Sequence, residues 1–267
     1  MRQQTRSRVA NCLDRAHLLR PAERLRQSWL TIRAHEDHLA FDGLPVPPAR
    51  LRLLVDGRSG DAAHFLGVGR QMFESIGDAV AAAGTDPGEL RSVLDFGCGC
   101  GRVARHWARL EGPEIYGCDY NPELTGWCER NLPFLRVARN RLEPPTPYVT
   151  GSFDLVYALS VFSHLDDPLQ RRWLEEYRRL LRPGGLLVLS LLGDSLRYRL
   201  DAAERRRYDR GELVVQRPRL AGRNLCTVYH PPAYVSRSLL AGFSEVRGFE
   251  LGSPAQPMQQ DAYIARR

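Results

Sequence analysis

Val93-Leu94-Asp95-Phe96-Gly97-Cys98-Gly99-Cys100-Gly101-Arg102 runs from an apolar strand through an acid into a loop with glycine at every second position. Glycine there lets the backbone adopt conformations closed to other residues and approach a ligand closely. A helix starting from such a loop turns its unpaired N–H groups and positive dipole end toward whatever the loop holds. The spacing is not the G-x-G-x-x-G of dinucleotide folds: the third glycine comes one residue early, and Arg102 stands where that fingerprint needs Gly or Ala. Asp95 argues further against a pyrophosphate, which its carboxylate would repel, and suits a ligand with an ammonium group.

Outward from this stretch the chain alternates short apolar strands with amphipathic helices. Val93–Phe96, Ile115–Cys118, Phe153–Leu159 and Leu186–Leu191 read as strands, and 101–111, 122–132 and 168–181 as helices. Alternation of this kind builds βαβ units, hence a mainly parallel α/β sheet with helices on both faces. Upstream, residues 61–84 predict a helix closed by Gly84, and Leu44-Pro45-Val46-Pro47-Pro48 predicts an extended linker. Residues 1–42 read as helical, with Leu18, Leu19, Leu25, Trp29 and Ile32 at helical spacing. The division expected is an N-terminal helical extension and linker over 1–60, then one domain over 61–267.

The second strand ends at Asp119, eighteen residues past Gly101, where a carboxylate can accept hydrogen bonds from both hydroxyls of a ribose. A glycine loop, an acid for an amine and an acid for a ribose together describe S-adenosylmethionine. At this point the chain resembles the class I, Rossmann-like S-adenosylmethionine-dependent methyltransferases. Phe153-Asp154-Leu155-Val156-Tyr157-Ala158-Leu159-Ser160 is similar to their fourth-strand motif, and Leu180-Leu181-Arg182-Pro183-Gly184-Gly185-Leu186-Leu187 to the helix-turn-strand signature entering the fifth. The resemblance covers roughly residues 91–192 and implies a seven-stranded sheet. It also implies that Gly97, Cys98, Gly99, Gly101 and Arg102 line the methionine part of the cofactor beside Asp95. Asp119 then holds the ribose, Tyr120 lies against the adenine, and Asn140, Arg141 and Leu142 approach its amine. Ser160 falls where the fourth strand opens onto the methyl group. Phe65, Gly69 and Arg70 lie on the helix that covers the cofactor in many relatives, and Arg70 is a candidate partner for the methionine carboxylate.

Methyl transfer from a sulfonium is an in-line displacement, so the protein mainly supplies alignment, desolvation and sometimes a base. Methyltransferases acting on amide or exocyclic base nitrogens resemble one another in an Asn/Asp-Pro-Pro-aromatic sequence after the fourth strand. Here that place holds Ser160-Val161-Phe162-Ser163-His164-Leu165, which points to a small-molecule acceptor, oxygen first, then nitrogen or aromatic carbon. His164 is the first candidate base, weighed against a histidine packed behind the loop and bonded to backbone. The stretch after the fifth strand, 193–231, is too long for a plain connection and predicts a cap over the strand ends. Within it a helix is expected over Ser195–Arg210. Tyr198, Arg223 and Asn224 are candidate substrate contacts, and Tyr229 and His230 further candidates for catalysis.

Composition bounds the partners. The 267 residues, 43% apolar and 26% charged, suit one globular domain. No apolar run reaches the ~20 residues of a bilayer span, and no apolar segment follows the basic N-terminus as a signal peptide would require; the expectation is a cytoplasmic protein. All 38 basic residues are arginine, giving a net charge of +7 and suggesting a GC-rich genome. Acids interleave with the arginines almost everywhere, which argues against a nucleic-acid footprint. RNA or protein substrates, a non-catalytic partner role and a homodimer through the N-terminal segment stay open as alternatives. Cys98, Cys100, Cys118 and Cys128 lack paired C-x2-C spacing, so no metal is expected.

Overall fold

A computed structural model describes residues 42–57, 60–253 and 256–267, together with Pro21, Leu25, Ser28 and Trp29. The predicted helix over 1–42 otherwise lies outside the described residues. Seven strands form one sheet: β1 (Ser92–Phe96), β2 (Glu114–Asp119), β3 (Leu135–Arg139), β4 (Phe153–Ala158), β5 (Leu181–Leu191), β8 (Ser244–Ser253) and β9 (Gln256–Arg266), ordered β3-β2-β1-β4-β5-β9-β8. The first five run parallel, and β9 returns antiparallel against β5, with Leu189 opposite Tyr263. A small hairpin, β6 (Val214–Gln216) with β7 (Thr227–Tyr229), stands apart. Among the described residues no helix is long and apolar enough to cross a membrane.

β1 is buried at every position because it lies between β2 and β4 with helices on both faces. Such a central parallel strand carries apolar residues without alternation. One face is covered by α2 (Ala62–Ala82), α3 (Ala104–Trp107) and α4 (Pro122–Asn131), which bury Phe65, Met72, Ile76, Trp107 and Trp127. On the other face α5 (Asp167–Leu180) buries Leu169, Trp173 and Tyr177 against Phe96 and Phe153. Local chemistry starts these helices. Asp61 accepts from the His64 N–H at 2.6 Å, while Asn121 and Asp166 cap α4 and α5 ahead of a proline in the first turn.

Two predicted helices come out differently. The one expected over 101–111 is a single turn, since Gly101 holds φ of +74° and delays its start. The one expected over Ser195–Arg210 breaks in two, a 3₁₀ stretch at Asp194–Arg199 and α6 (Ala202–Asp209). Asp201 accepts from the Ala203 and Glu204 N–H groups while Glu204 reaches back to the Asp201 N–H, a reciprocal cap that starts a new helix there.

The sheet order reverses between β1 and β4, and ligands in open α/β sheets bind beyond the carboxyl ends of the strands at such a point. α1 (Ala49–Asp56) folds over this end. It is anchored by Arg52, a buried arginine whose Nε donates to the Gly60 carbonyl at 2.7 Å. Just upstream, Asp42 takes both Nε and Nη2 of the fully buried Arg105 at 2.6 and 2.8 Å. Burial alone would push the Asp42 carboxyl up, but this fork holds it below the usual range.

Candidate cofactor cleft and acceptor chamber

Gly97, Gly99 and Gly101 all have positive φ. Lacking side chains, they let neighbours close in: a Cβ on Gly99 would lie 2.6 Å from Val55 of α1, and one on Gly97 2.5 Å from Val161. α2 reaches the loop by the same device, for a Cβ on Gly69 would meet the Arg102 carbonyl oxygen at 2.1 Å. The loop is therefore held between α1, α2 and the segment after β4. Its thiols face inward. Cys98 and Cys128 are buried together around the Gly99 carbonyl, and Cys100, Cys118 and Cys226 are also buried free thiols. Burial raises the thiols of Cys100 and Cys118 far above the usual range and that of Cys226 to about 11, so these three are not poised as nucleophiles.

A cleft opens above the loop, lined by Gly97, Gly99, Arg102, Asp119, Tyr120, Asn140, Arg141, Leu142, Ser160 and His164 among others. Asp119 is buried, its Oδ2 accepting from the Gly99 N–H at 3.0 Å and its Oδ1 from the Asn121 N–H at 2.8 Å. Each oxygen keeps a second lone pair. Burial raises its pKa, and these backbone donors oppose the rise. Asn140 donates from Nδ2 to the Arg141 carbonyl at 2.7 Å, leaving Oδ1 buried and unpaired. Behind the loop, Asp95 also keeps Oδ2 unpaired; burial raises its carboxyl to about 7, with the Tyr157 hydroxyl holding it back and Asp119 adding to the rise. Arg102 sits over the Phe65 ring at 5.9 Å with Nη1 3.7 Å from Asp56, and its buried Nε has no partner.

The cleft joins a second chamber of about 640 Å³ through shared walls at Val55, Arg102, Ser160, His164 and Asn224. Asp56, His64, Gln71, Arg199 and Gln260 are among its polar lining. His164 follows β4 in a short 3₁₀ turn, and its Nδ1 donates to the Cys226 carbonyl at 2.8 Å. A carbonyl can only accept, so the proton is on Nδ1 and Nε2 has the free lone pair. Burial lowers the imidazole below the usual histidine range, with the carbonyl opposing it. Ser160 holds φ of +59° at the end of β4, and its N–H donates to Ser190 Oγ at 2.7 Å. Both serine hydroxyls then donate to Gln260 Oε1, Ser160 at 3.0 Å and Ser190 at 2.7 Å.

The structure thus brings Gly97, Gly99, Arg102, Asp119, Tyr120, Asn140, Arg141, Leu142, Ser160, His164 and Asn224 to one place, with Asp95 buried directly behind. It leaves others out. Cys98 packs on Gly117 within the core, and Gly101 faces Leu132 of the α4 side rather than the cleft. Arg70 lies on α2 but lines a different pocket with His106 and Arg109, 3.8 Å from Glu74, so the arginine at the cleft is Arg102 instead. Tyr229, the last residue of β7, and His230 after it are buried: Tyr229 packs with Leu196 and Tyr208, and His230 Nε2 accepts from Gln170 at 2.9 Å. Neither lines the chamber, nor do Tyr198 and Arg223, whereas Asn224 reaches it while donating to the Leu54 carbonyl at 2.9 Å. Val55 and Asp56 of α1 and Gln260 of β9 are additions that the motifs do not mark. Pro48 before α1 and Gly57 after it, in the left-handed conformation, are the sequence signals for this helix. Among the described residues no cluster of His, Cys, Asp or Glu is placed to hold a metal.

Comparison with known proteins agrees with this geometry. The profile of the family described as methyltransferase domain matches residues 68–250. The ubiquinone biosynthesis O-methyltransferase of Cereibacter sphaeroides is 34% identical over 116 residues, 40% of this chain and 43% of its own. Its mitochondrial namesake from Schizosaccharomyces pombe is 31% identical over 115 residues, 41% of each chain. The match thus spans less than half the length of these relatives. Among solved structures, the 1,6-didemethyltoxoflavin-N1-methyltransferase of Burkholderia thailandensis shares the fold with a TM-score of 0.53 at 20% identity, over 80% of this chain and 84% of that one. With its profile match across most of the sheet, the chain belongs to the methyltransferase-domain family.

Proposed function

We propose that this chain transfers the methyl group of S-adenosylmethionine to a hydroxyl of a small molecule in metabolite biosynthesis. The observation that carries the reading is His164. It stands at the junction of cleft and chamber, with Nδ1 committed to the Cys226 carbonyl and Nε2 left as a proton acceptor. The names of the matched relatives favour an oxygen acceptor, and a chamber of about 640 Å³ suits a small molecule.

The unpaired groups of the cleft match the cofactor part by part. Asp119 accepts from the two ribose hydroxyls on its remaining lone pairs, and Asn140 Oδ1 accepts from the adenine amine. Asp95 Oδ2 faces the ammonium, and Arg102 Nε donates to the carboxylate. Tyr120, half exposed at the rim, covers the adenine. When bound, S-adenosylmethionine supplies a methyl already made electrophilic by the sulfonium, so the protein need not activate it further. With the cofactor bound, His164 Nε2 would take the proton of the acceptor hydroxyl as that oxygen takes up the methyl group. Because the imidazole is neutral at pH 7, it is ready for that proton.

Residues 193–231 serve as the cap, reaching the chamber through Leu196, Arg199 and Asn224, with the Asn224–Leu54 contact tying the segment to α1. A cytoplasmic setting, where thiols stay reduced, suits the buried free cysteines. The test offers the protein methyl-labelled S-adenosylmethionine with three pools from a GC-rich bacterium: small metabolites, RNA and protein. Label is expected in the metabolite pool. Label confined to RNA or protein would overturn the reading.

A further inference from the structure

We propose that Gln260 selects the acceptor. Its carboxamide NH₂ donates to an ether or carbonyl oxygen beside the reacting hydroxyl, so the chamber takes hydroxyls flanked by such an oxygen. The inference rests on the small-molecule reading above and names its substrate class.

Two serines hold the amide by its oxygen. Ser190 Oγ accepts the Ser160 N–H, and its single hydroxyl hydrogen goes to Gln260 at 2.7 Å. Ser160 Oγ sends its hydrogen to the same atom at 3.0 Å. Gln260 Oε1 is the common acceptor of the two hydroxyls, and an amide oxygen has the two lone pairs that this takes. The oxygen end is therefore fixed against the sheet by two serines, one of them fully buried in β5. The NH₂ is the end left for the chamber, which Gln260 lines.

Position makes that donor selective. Ser160 lies on the wall shared by cleft and chamber, as does His164. Gln260 is one hydrogen bond from Ser160 and lines the same chamber as His164, so in this proposal its NH₂ and the His164 Nε2 meet one acceptor together. His164 takes a proton and Gln260 gives a hydrogen bond, which fits a hydroxyl next to an oxygen that can only accept. A hydroxyl flanked by carbon leaves the amide unpaired once the chamber is filled, and an unpaired polar group costs affinity.

The test compares 2-methoxyphenol with 2-ethylphenol, a pair of similar shape that differs in the flanking oxygen. Each is titrated by NMR into protein saturated with S-adenosylhomocysteine. The wild type is expected to bind 2-methoxyphenol about tenfold more tightly. Gln260→Glu keeps both serine donations but replaces the NH₂ with an acceptor, and should abolish or reverse the preference while retaining S-adenosylhomocysteine binding. Gln260→Leu, which removes both ends, should abolish it too. Equal binding of the two phenols, no binding of either, or a preference that survives both substitutions would overturn the proposal. The labelling experiment separates this failure from the wider one. Label in metabolites with no phenol preference removes only the role of Gln260, whereas label in RNA or protein removes the small-molecule reading with it.

Discussion

The Asp95 carboxyl has one unpaired oxygen and, through burial, a pKa raised to about 7, so it is half protonated at neutral pH. An ammonium group favours the ionised form, and cofactor binding must then release a proton below that pH. The affinity for S-adenosylhomocysteine should fall by about tenfold per pH unit below about 7 and level off above it. Calorimetry between roughly pH 5 and 8 measures this, and a flat profile would remove Asp95 from the ammonium. Asp95→Asn should flatten the profile. At His164 the sign is opposite in kind: the imidazole is held below the usual histidine range, so the base stays neutral and the rate should hold down through about pH 6.5. His164→Gln should lower methyl transfer by about a hundredfold at pH 7, read as the turnover of labelled product. A variant within twofold of wild type would leave the ring a structural role only.

At the scale of elements, the contact between α2 and the glycine loop is a close joint made against backbone. Gly69→Ala places a methyl 2.1 Å from the Arg102 carbonyl, a backbone atom that cannot swing aside. The helix must shift, at a cost of roughly 1–3 kcal/mol, and S-adenosylhomocysteine should bind more weakly because the Arg102 turn moves with it. Urea unfolding and calorimetry on the variant check both effects. The contrast between elements explains what can be read from the chain. β1, β4 and β5 are legible because burial on both faces gives them unbroken apolar runs, Val93-Leu94, Leu155–Ala158 and Leu186–Leu189, in place of alternation. β3, Leu-Arg-Val-Ala-Arg, has a half-exposed face and carries charge at its second position, so it offers no apolar run. β8 is hidden for a related reason: its edge position leaves Glu245, Val246 and Arg247 exposed. The cleft is largely readable because its glycines and acids sit in one βαβ unit. Gln260 is not, because only the antiparallel return of β9 along β5 carries it to Ser190.

For the whole molecule, two buried histidines outside the cleft set a loss of stability in acid. His230 is fully buried and lowered to about 3, and His106, with both ring nitrogens unpaired, to about 4. The unfolded chain binds protons at these rings near pH 6.5 while the folded one does not, so stability present above about 6.5 is lost as pH falls toward 4 and 3. Asp95 runs the other way, its folded pKa lying above the unfolded value, and gains stability as pH falls from about 7 toward 4. By pH 5 each histidine should have cost about 2 kcal/mol. His230→Asn should shrink the loss between pH 7 and pH 5 by about that amount in urea titrations; an unchanged loss would mean that the ring opens to water before the fold does.

The inward-facing thiols turn the molecule into its own clock. Cys98, Cys100, Cys118 and Cys128 surround the glycine loop, while Cys226 sits in the cap beside His164. An alkylating reagent reaches a buried thiol only when its surroundings open, so the rate at each cysteine times the opening of its own region. Saturating S-adenosylhomocysteine should slow alkylation at the four loop cysteines by the factor that its occupancy stabilises them, about a hundredfold at a hundred times Kd. Mass spectrometry of the digested protein would then show whether the hairpin keeps time with the loop or opens on a schedule of its own, which is how an acceptor would enter while the cofactor stays seated.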